Sequence, residues 1–429
     1  MLGGAVSSIP YTVSAVLLAS LFLVPSAEAA GKVVHRQTKV KGVLVDQYAW
    51  PDSKGLKRTV SLKREGGGNP GHGGYAVQMT YEVREGGKTR TVVADAGKGN
   101  DGGFGYFVSH ERYRDFTDGR YGTIAQTIFK TDDSPLGNKF PVKGKSKIGP
   151  KSRSATHTFR LDYPRYGTIA PIAWNANGQQ VSDTPVDQGQ LKRYTLRVTM
   201  VWIFEAGTDF PRIDTSVDMA DVGQADRVNF DLRAPYGVLV FDDNADKVVR
   251  KVMWGDRFHF ETTDSPPTRA SGFVWNKPNK GSRYTALIAG TYEMGIYEPK
   301  PFKKSDTADG YSDARGKTSA AYACGDLAGQ VLPCDWEWPY QSLQYSLPYD
   351  DVNQPTDGKK IAWGSAAYYG AGDSLTRSYD TPNSFQDIVG FPGSKTIRYS
   401  TCIVLGKTIK GGLTRAAAAK NSDYSCAGA

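Results

Sequence analysis

The chain has 429 residues, 39% of them hydrophobic and 11% aromatic, with 48 glycines, 24 tyrosines and 4 cysteines. This is a globular composition, large enough for one elaborated sandwich or two closely packed lobes, and beyond the first thirty residues no apolar stretch is long enough for a membrane span. The formal charge of +9, from 53 basic and 44 acidic residues, favours acidic partners by long-range attraction.

Residues 1–29 read as a secretory signal: an apolar run from Val13 to Val24, then Pro25 and the small-residue pattern Ala27-Glu28-Ala29. The run is too short to anchor in a bilayer, although it lacks the Lys or Arg that usually precedes such a run. The expected location is secreted or periplasmic, without stable membrane insertion. For an exported protein the acidic partner is a polysaccharide or other glycan rather than nucleic acid. The sequence does not fix the oligomeric state.

Residues 30–150 are expected to form an N-terminal β-rich part of a sandwich, or a small lobe, and residues 151–429 the main sandwich. In the first part, VKGVLVDQYAW and YAVQMTYEVRE read as strands, and GGGNPGHGGY and DAGKGNDGGFGYF as connections. The second glycine cluster lacks the Lys-Ser/Thr ending and following helix of a phosphate loop. Lys139, Lys143, Lys145, Lys147, Lys151 and Arg153 bunch between Gly, Ser and Pro, either as a solvated loop or as a binding strip. Arg120-Tyr-Gly-Thr-Ile-Ala125 recurs letter for letter at Arg165–Ala170, consistent with two strands in equivalent positions of facing or neighbouring sheets, which would bring Tyr121 and Tyr166 to one rim.

The cleanest alternations run from Tyr194 to Glu298. In YTLRVTMVWIF, Tyr194, Leu196, Val198, Met200, Trp202 and Phe204 share one face, and Val201 and Ile203 make the other apolar too. Further on, Ile213, Val217 and Met219 oppose Arg212, Asp214, Ser216 and Asp218, and VNFDLRAPYGVLVFD, VVRKVMWGDRFHFE and RYTALIAGTYEMGIYE repeat the pattern. Within this stretch Arg257, His259 and Glu261 fall on one strand face. A carboxylate that orients an imidazole, beside a guanidinium that binds an anion, is a catalytic set; it is equally a charge ladder on a solvated face. No cofactor is expected. Two acidic loops, Asp242–Asp246 and Asp306–Asp313, have oxygens suited to calcium but not the twelve-residue loop pattern.

After Pro299 a polar, turn-rich stretch leads to the densest aromatic patch, with Trp336, Glu337, Trp338 and Tyr340, then Trp363 and Tyr368. Aromatic faces beside carboxylates suit sugar rings as substrate-binding groups, and equally suit half-buried strand residues. Local loop lengths favour pairing Cys324 with Cys334 and Cys402 with Cys426, in keeping with an oxidising compartment. The scattered histidines and the lack of a Cys-x-x-Cys spacing argue against a metal site. Only LTRAAAAK reads as helical.

The fold class is therefore all-β, a large antiparallel sandwich of the supersandwich kind with long loops and little helix. The signal segment, the long amphipathic strands, and WGSAAYYG followed later by TIRYSTCIVLG resemble the galactose-mutarotase-like β-sandwiches that process carbohydrates, over about residues 150 to 410. The resemblance implies a sheet face or groove that handles sugars, with lyase, hydrolase or epimerase chemistry, but places no catalytic residue. Two functions are carried forward: a polysaccharide lyase or glycoside hydrolase acting on an extracellular, acidic polysaccharide, and a non-catalytic glycan-binding or cell-surface structural protein.

Overall fold

The computed structural model describes residues 31–64, 75–95, 103–114, 124–127, 143–165, 171–172, 194–218, 220, 228–241, 249–255, 260–262, 284–299, 342–346, 361–370, 396–420 and 426. In chain order the strands are β1 (Val34–Val40), β2 (Val43–Pro51), β3 (Lys57–Lys63), β4 (Ala76–Glu85), β5 (Lys88–Asp95), β6 (Gly103–Arg114), β7 (Ile124–Thr127), β8 (Lys145–Ile148), β9 (Ser154–Arg165), β10 (Pro171–Ile172) and β11 (Tyr194–Glu205). They continue as β12 (Arg212–Asp218), β13 (Val228–Phe241), β14 (Lys251–Gly255), β15 (Phe260–Thr262), β16 (Tyr284–Ala289), β17 (Tyr292–Tyr297), β18 (Ser342–Ser346), β19 (Ile361–Gly370) and β20 (Thr396–Lys407). The one described α-helix, α1 (Leu413–Lys420), is the LTRAAAAK segment.

These strands make two sheets, antiparallel at every described pairing. The eleven-stranded sheet runs β1-β2-β3-β4-β5-β13-β6-β7-β10, with β19 on the other side of β13 and β18 beyond it. The nine-stranded sheet runs β15-β14-β16-β17-β20-β12-β11-β9-β8. The sheets pack face to face because each presents an apolar inner row: Tyr48, Val60, Met79, Tyr81 and Val92 from the first, and Phe159, Val198, Met200, Trp202, Phe204, Ile213 and Val217 from the second, all buried. Tyr48 stacks on Phe204 with ring centroids 4.5 Å apart. Polar ties also cross between the sheets. Arg58 pairs with Asp52 at 2.8 Å and reaches across to the carbonyl of Leu405, while the Tyr399 hydroxyl donates to the carbonyl of Ala234 beside the cis Ala234–Pro235 bond.

The alternation in β11 is as the sequence predicts on its inner face, where Leu196 to Phe204 are buried, whereas Val201 and Ile203 are only half covered because their face looks outward. β16 and β17 are buried on both faces. The cover is α1: Gly295 and Gly406 carry no side chain where Thr414 and Leu413 of the helix press in, and an added Cβ would meet them at 1.9 and 2.4 Å.

Four readings are revised by the backbone. VKGVLVDQYAW is not one strand: Val40 ends β1, Lys41-Gly42 form the turn, and Val43 to Trp50 lie in β2, while the rest of β1 is a strand the alternation did not single out. The GFGYF end of the second glycine-rich connection is the start of β6, where Gly105 leaves room for the Trp202 ring 2.5 Å from where a Cβ would stand. VVRKVMWGDRFHFE folds back as β14 and β15, with Met253 opposite Thr262. Residues 145–148 of the lysine strip form a strand, not a loop. The residues just beyond the two copies of the six-residue echo pair in one sheet, Ile172 opposite Gln126 and Pro171 opposite Thr127.

Candidate functional site

At one side of the sandwich the open edge of each sheet comes to the surface: β1 for the first, β8 for the second. Two turns set what these edges display. Lys41 and Gly42, at φ 48° and 84°, close β1 onto β2 in the left-handed conformation that a two-residue hairpin of primed type requires. This register puts His35 opposite Tyr48 and Gln37 opposite Asp46. On the other sheet the turn at residues 149–153 puts Ser146 opposite His157. The edges are joined by the Val33 N–H donating to the Ser152 carbonyl at 2.8 Å.

Five polar side chains meet on the inner side of this seam. His35 Nε2 lies 2.8 Å from Asp46 Oδ1 and 3.5 Å from Ser146 Oγ. Ser146 Oγ is 3.0 Å from His157 Nδ1 and also bonds the Tyr48 hydroxyl, which is itself 2.5 Å from His157 Nδ1. The His35 ring stacks on Tyr48 at 4.7 Å. Depth divides the set. Tyr48 and His157 are wholly enclosed, Asp46 nearly so, while the His35 side chain is 22% exposed and Ser146 is exposed at the edge.

Burial controls the charge states. Desolvation, opposed by the Asp46 carboxylate and reinforced by His35, holds His157 down to about 4, so its imidazole is neutral at pH 7. Desolvation also raises the Tyr48 phenol, reinforced by Asp46 and against the bond with Ser146, so Tyr48 keeps its proton and shares hydrogen bonds with Ser146 Oγ and His157 Nδ1. Nε2 of His157 is buried without a partner among the described residues and lies under Gly144, where an added Cβ would come within 1.8 Å.

Around the mouth the charge is of one sign. Lys32, Arg36, Lys39 and Lys41 in residues 31–41, and Lys143, Lys145, Lys147, Lys151 and Arg153 in residues 143–153, are all exposed, and neither segment contains an acid. Alternation sends Lys145 and Lys147 to the outer face and Ser146 inward. Arg64 joins the inner side, its Nη1 donating to Gln37 Oε1 at 2.8 Å. Among the described residues every non-glycine residue at positive φ, namely Lys41, Lys151 and Ser152, belongs to one of the two seam turns. Such backbone costs about 1–3 kcal/mol per residue and gathers at functional sites.

Of the sequence-derived candidates, Arg257, His259, Trp336, Glu337, Trp338, Tyr340, Tyr121, Tyr166, Cys324, Cys334 and both calcium-type loops lie outside the described residues. Glu261 is in β15 opposite Trp254, and Trp363 and Tyr368 are in β19 opposite Gly237 and Asp231, with side chains outside the description. Cys402 is bonded to Cys426 as their spacing suggests. No metal-binding group of three or more His, Cys, Asp or Glu occurs among the described residues, and none of their helices is long and apolar enough to cross a membrane. The seam set escaped sequence reasoning because its members come from four strands. The usable local signal was the Lys41-Gly42 turn, from which the facing of His35 and Tyr48 follows.

No protein-family model matches the chain, and no curated protein matches it. Among solved structures it is similar to a galactose 1-epimerase from Lactobacillus acidophilus NCFM, at 8% identity and a TM-score of 0.36, over 88% of this chain and 99% of that one. It is also similar to an alpha-mannosidase from Enterococcus faecalis V583, at 7% identity and a TM-score of 0.34, over 87% of this chain and 35% of that one. A third similar structure is a protein in the glycosyl hydrolase family 38 from Enterococcus faecalis, at 8% identity and a TM-score of 0.31, over 87% of this chain and 37% of that one. The chain thus spans little more than a third of the length of the latter two.

Proposed function

We propose that this chain is an exported carbohydrate-active protein that holds an acidic polysaccharide along the seam between β1 and β8 and cleaves it. The observation that carries the reading is the pair of adjoining, acid-free segments whose nine Lys and Arg residues are all exposed. A polymer with a charge on each sugar gains from cations repeated along a strand, where same-face neighbours stand about 6.6–6.8 Å apart. Export is supported by the Cys402–Cys426 bond, which suits an oxidising compartment. Lys41 and Lys151 occupy turn positions where glycine or asparagine would be relaxed, so their charge is retained against a conformational cost.

The test is a panel of polygalacturonate, hyaluronan and heparin against neutral dextran, with binding followed as salt rises and cleavage followed by reducing ends and unsaturated-uronate absorbance. Affinity for the acidic polymers should fall steeply through the physiological range, where the screening length is about 8 Å. Equal affinity for neutral and acidic polymers, or binding indifferent to salt, would remove the seam from the reading. The enclosure of Tyr48 and His157 favours a second reading, a non-catalytic glycan binder, which predicts salt-sensitive binding with no new ends.

A further inference from the structure

We infer that His35 is the proton-transfer group of the seam and that the reaction there is β-elimination at a uronate residue. The inference rests on the acidic-polysaccharide reading and adds to it the reaction and the base.

His35 has the geometry of an oriented base. Asp46, its side chain only 4% exposed, sets Oδ1 2.8 Å from Nε2 and receives a second contact from Gln37 Nε2 at 3.4 Å. A buried carboxylate at that distance keeps the ring hydrogen on Nε2 and leaves the lone pair on Nδ1. Stacking on Tyr48, with planes 19° apart, fixes the ring against rotation. The groups facing His35 are therefore Asp46 and Tyr48 from β2, Gln37 from its own strand with Arg64 behind it, Ser146 from β8 and His157 from β9. Tyr48, Ser146 and His157 are positioning residues, since the first and last are sealed from any polymer.

The set of groups selects the chemistry. Glycoside hydrolysis by the usual route needs two carboxyl groups about 5–9.5 Å apart across the scissile bond. Among the described residues the five-membered cluster has one carboxylate, Asp46, and it is buried and engaged. Elimination needs a base for the acidic hydrogen next to the uronate carboxylate, a cation on that carboxylate, and a proton for the departing oxygen. Here His35 Nδ1 takes the hydrogen from C5, and the electron pair left behind forms the C4–C5 double bond. The C4–O4 bond breaks with its pair on O4, and the proton on Nδ1 passes to O4, restoring the neutral ring. The bond changes balance without water or an oxidant. Arg64, whose Nη1 donates to Gln37 Oε1 on the strand that carries His35, is the cation assigned to the carboxylate.

The experiment uses the full chain on whichever acidic polymer of the panel it binds, comparing the parent with His35→Gln and Asp46→Asn by unsaturated-uronate absorbance, polymer binding, folded fraction and the separate kcat and KM values. The parent should generate the absorbance. His35→Gln should lose about 10²- to 10⁴-fold in rate, with binding held within about threefold because the lysines remain. Asp46→Asn should lower kcat with KM held within about threefold, since the imidazole loses the group that orients it; a purely structural role for Asp46 would lower the folded fraction and leave kcat per folded molecule in place. Should Asp46→Asn fail to fold, His35→Gln decides, as His35 lies on an edge strand. A loss of tenfold or less in His35→Gln, or reducing ends without unsaturated uronate, overturns the inference. Binding by the parent with no cleavage sinks the elimination alone, whereas absence of binding sinks the seam reading itself.

Discussion

The hydroxyl of Tyr48 and Nδ1 of His157 stand 2.5 Å apart although 109 positions separate them in the chain and they belong to opposite sheets. This contact ties β2 to β9 just inside the two open edges of the sandwich, where burial holds the imidazole neutral.

Acid stability follows from that enclosure. His157 titrates at about 4 when folded and at about 6.5 when unfolded, so below neutrality the unfolded chain takes up the proton first. Its contribution is intact above pH 6.5 and is lost as pH falls toward 4, a difference of about 3 kcal/mol at 1.36 kcal/mol per pKa unit. Denaturant unfolding at a series of pH values should show His157→Gln less stable than the parent at pH 7, but with a flatter decline between pH 6.5 and 4. Parallel declines would mean that His157 is not the group protonated on unfolding.

Gly144 should tolerate no side chain. A Cβ there would meet His157 Nε2 at 1.8 Å, Cδ2 at 2.4 Å and Phe159 Cε1 at 2.6 Å, and these are ring atoms fixed by packing. Gly144→Ala is expected to cost about 1–3 kcal/mol. Thermal unfolding of this variant beside the parent checks it, and an unchanged Tm would mean that the edge at β8 yields freely.

The seam turns predict an exchange of affinity for stability. Lys41→Asn and Lys151→Asn place a residue that accepts the left-handed conformation where lysine is strained. Each should raise stability by about 0.5–1 kcal/mol while weakening acidic-polymer binding up to about fivefold at low salt. Chemical denaturation paired with titration of polygalacturonate reads both quantities. Stabilised variants that bind as well as the parent would release these lysines from the site.

Glu293 holds α1 in place from the strand beneath it. Its wholly buried carboxylate accepts from Leu413 N–H at 2.8 Å, Thr414 N–H at 2.7 Å and Thr408 Oγ1 at 2.7 Å, capping a helix whose first turn contains no acid of its own. Glu293→Ala leaves those donors buried and unmet, for a loss of about 2–4 kcal/mol. Hydrogen exchange should show the first turn of α1 opening ahead of the sheets. Protection equal to the parent's would contradict the cap.

Alternation of apolar and polar residues was enough to define β11 and β12, and an alanine-rich run enough to define α1, because such elements are selected by local periodicity and propensity. The pairing of Cys402 with Cys426 was legible for a similar reason, as both ends lie within a short stretch of chain. The hairpin at Lys41-Gly42 was harder to see, since a Lys-Gly turn is a weaker signal than Asn-Gly. An imidazole with a carboxylate and a guanidinium was anticipated at residues 257–261 from one strand face. The described structure instead joins an imidazole to a carboxylate at His35 and Asp46, with Arg64 bonded to Gln37, which also contacts Asp46, drawing on β1, β2 and the residue that follows β3. Local pattern determines which face of a strand a residue takes. Whether β1 lies against β8, and so whether His35 meets Ser146 and Tyr48 meets His157, is decided by burying both inner faces at once, a condition that acts over the whole sandwich.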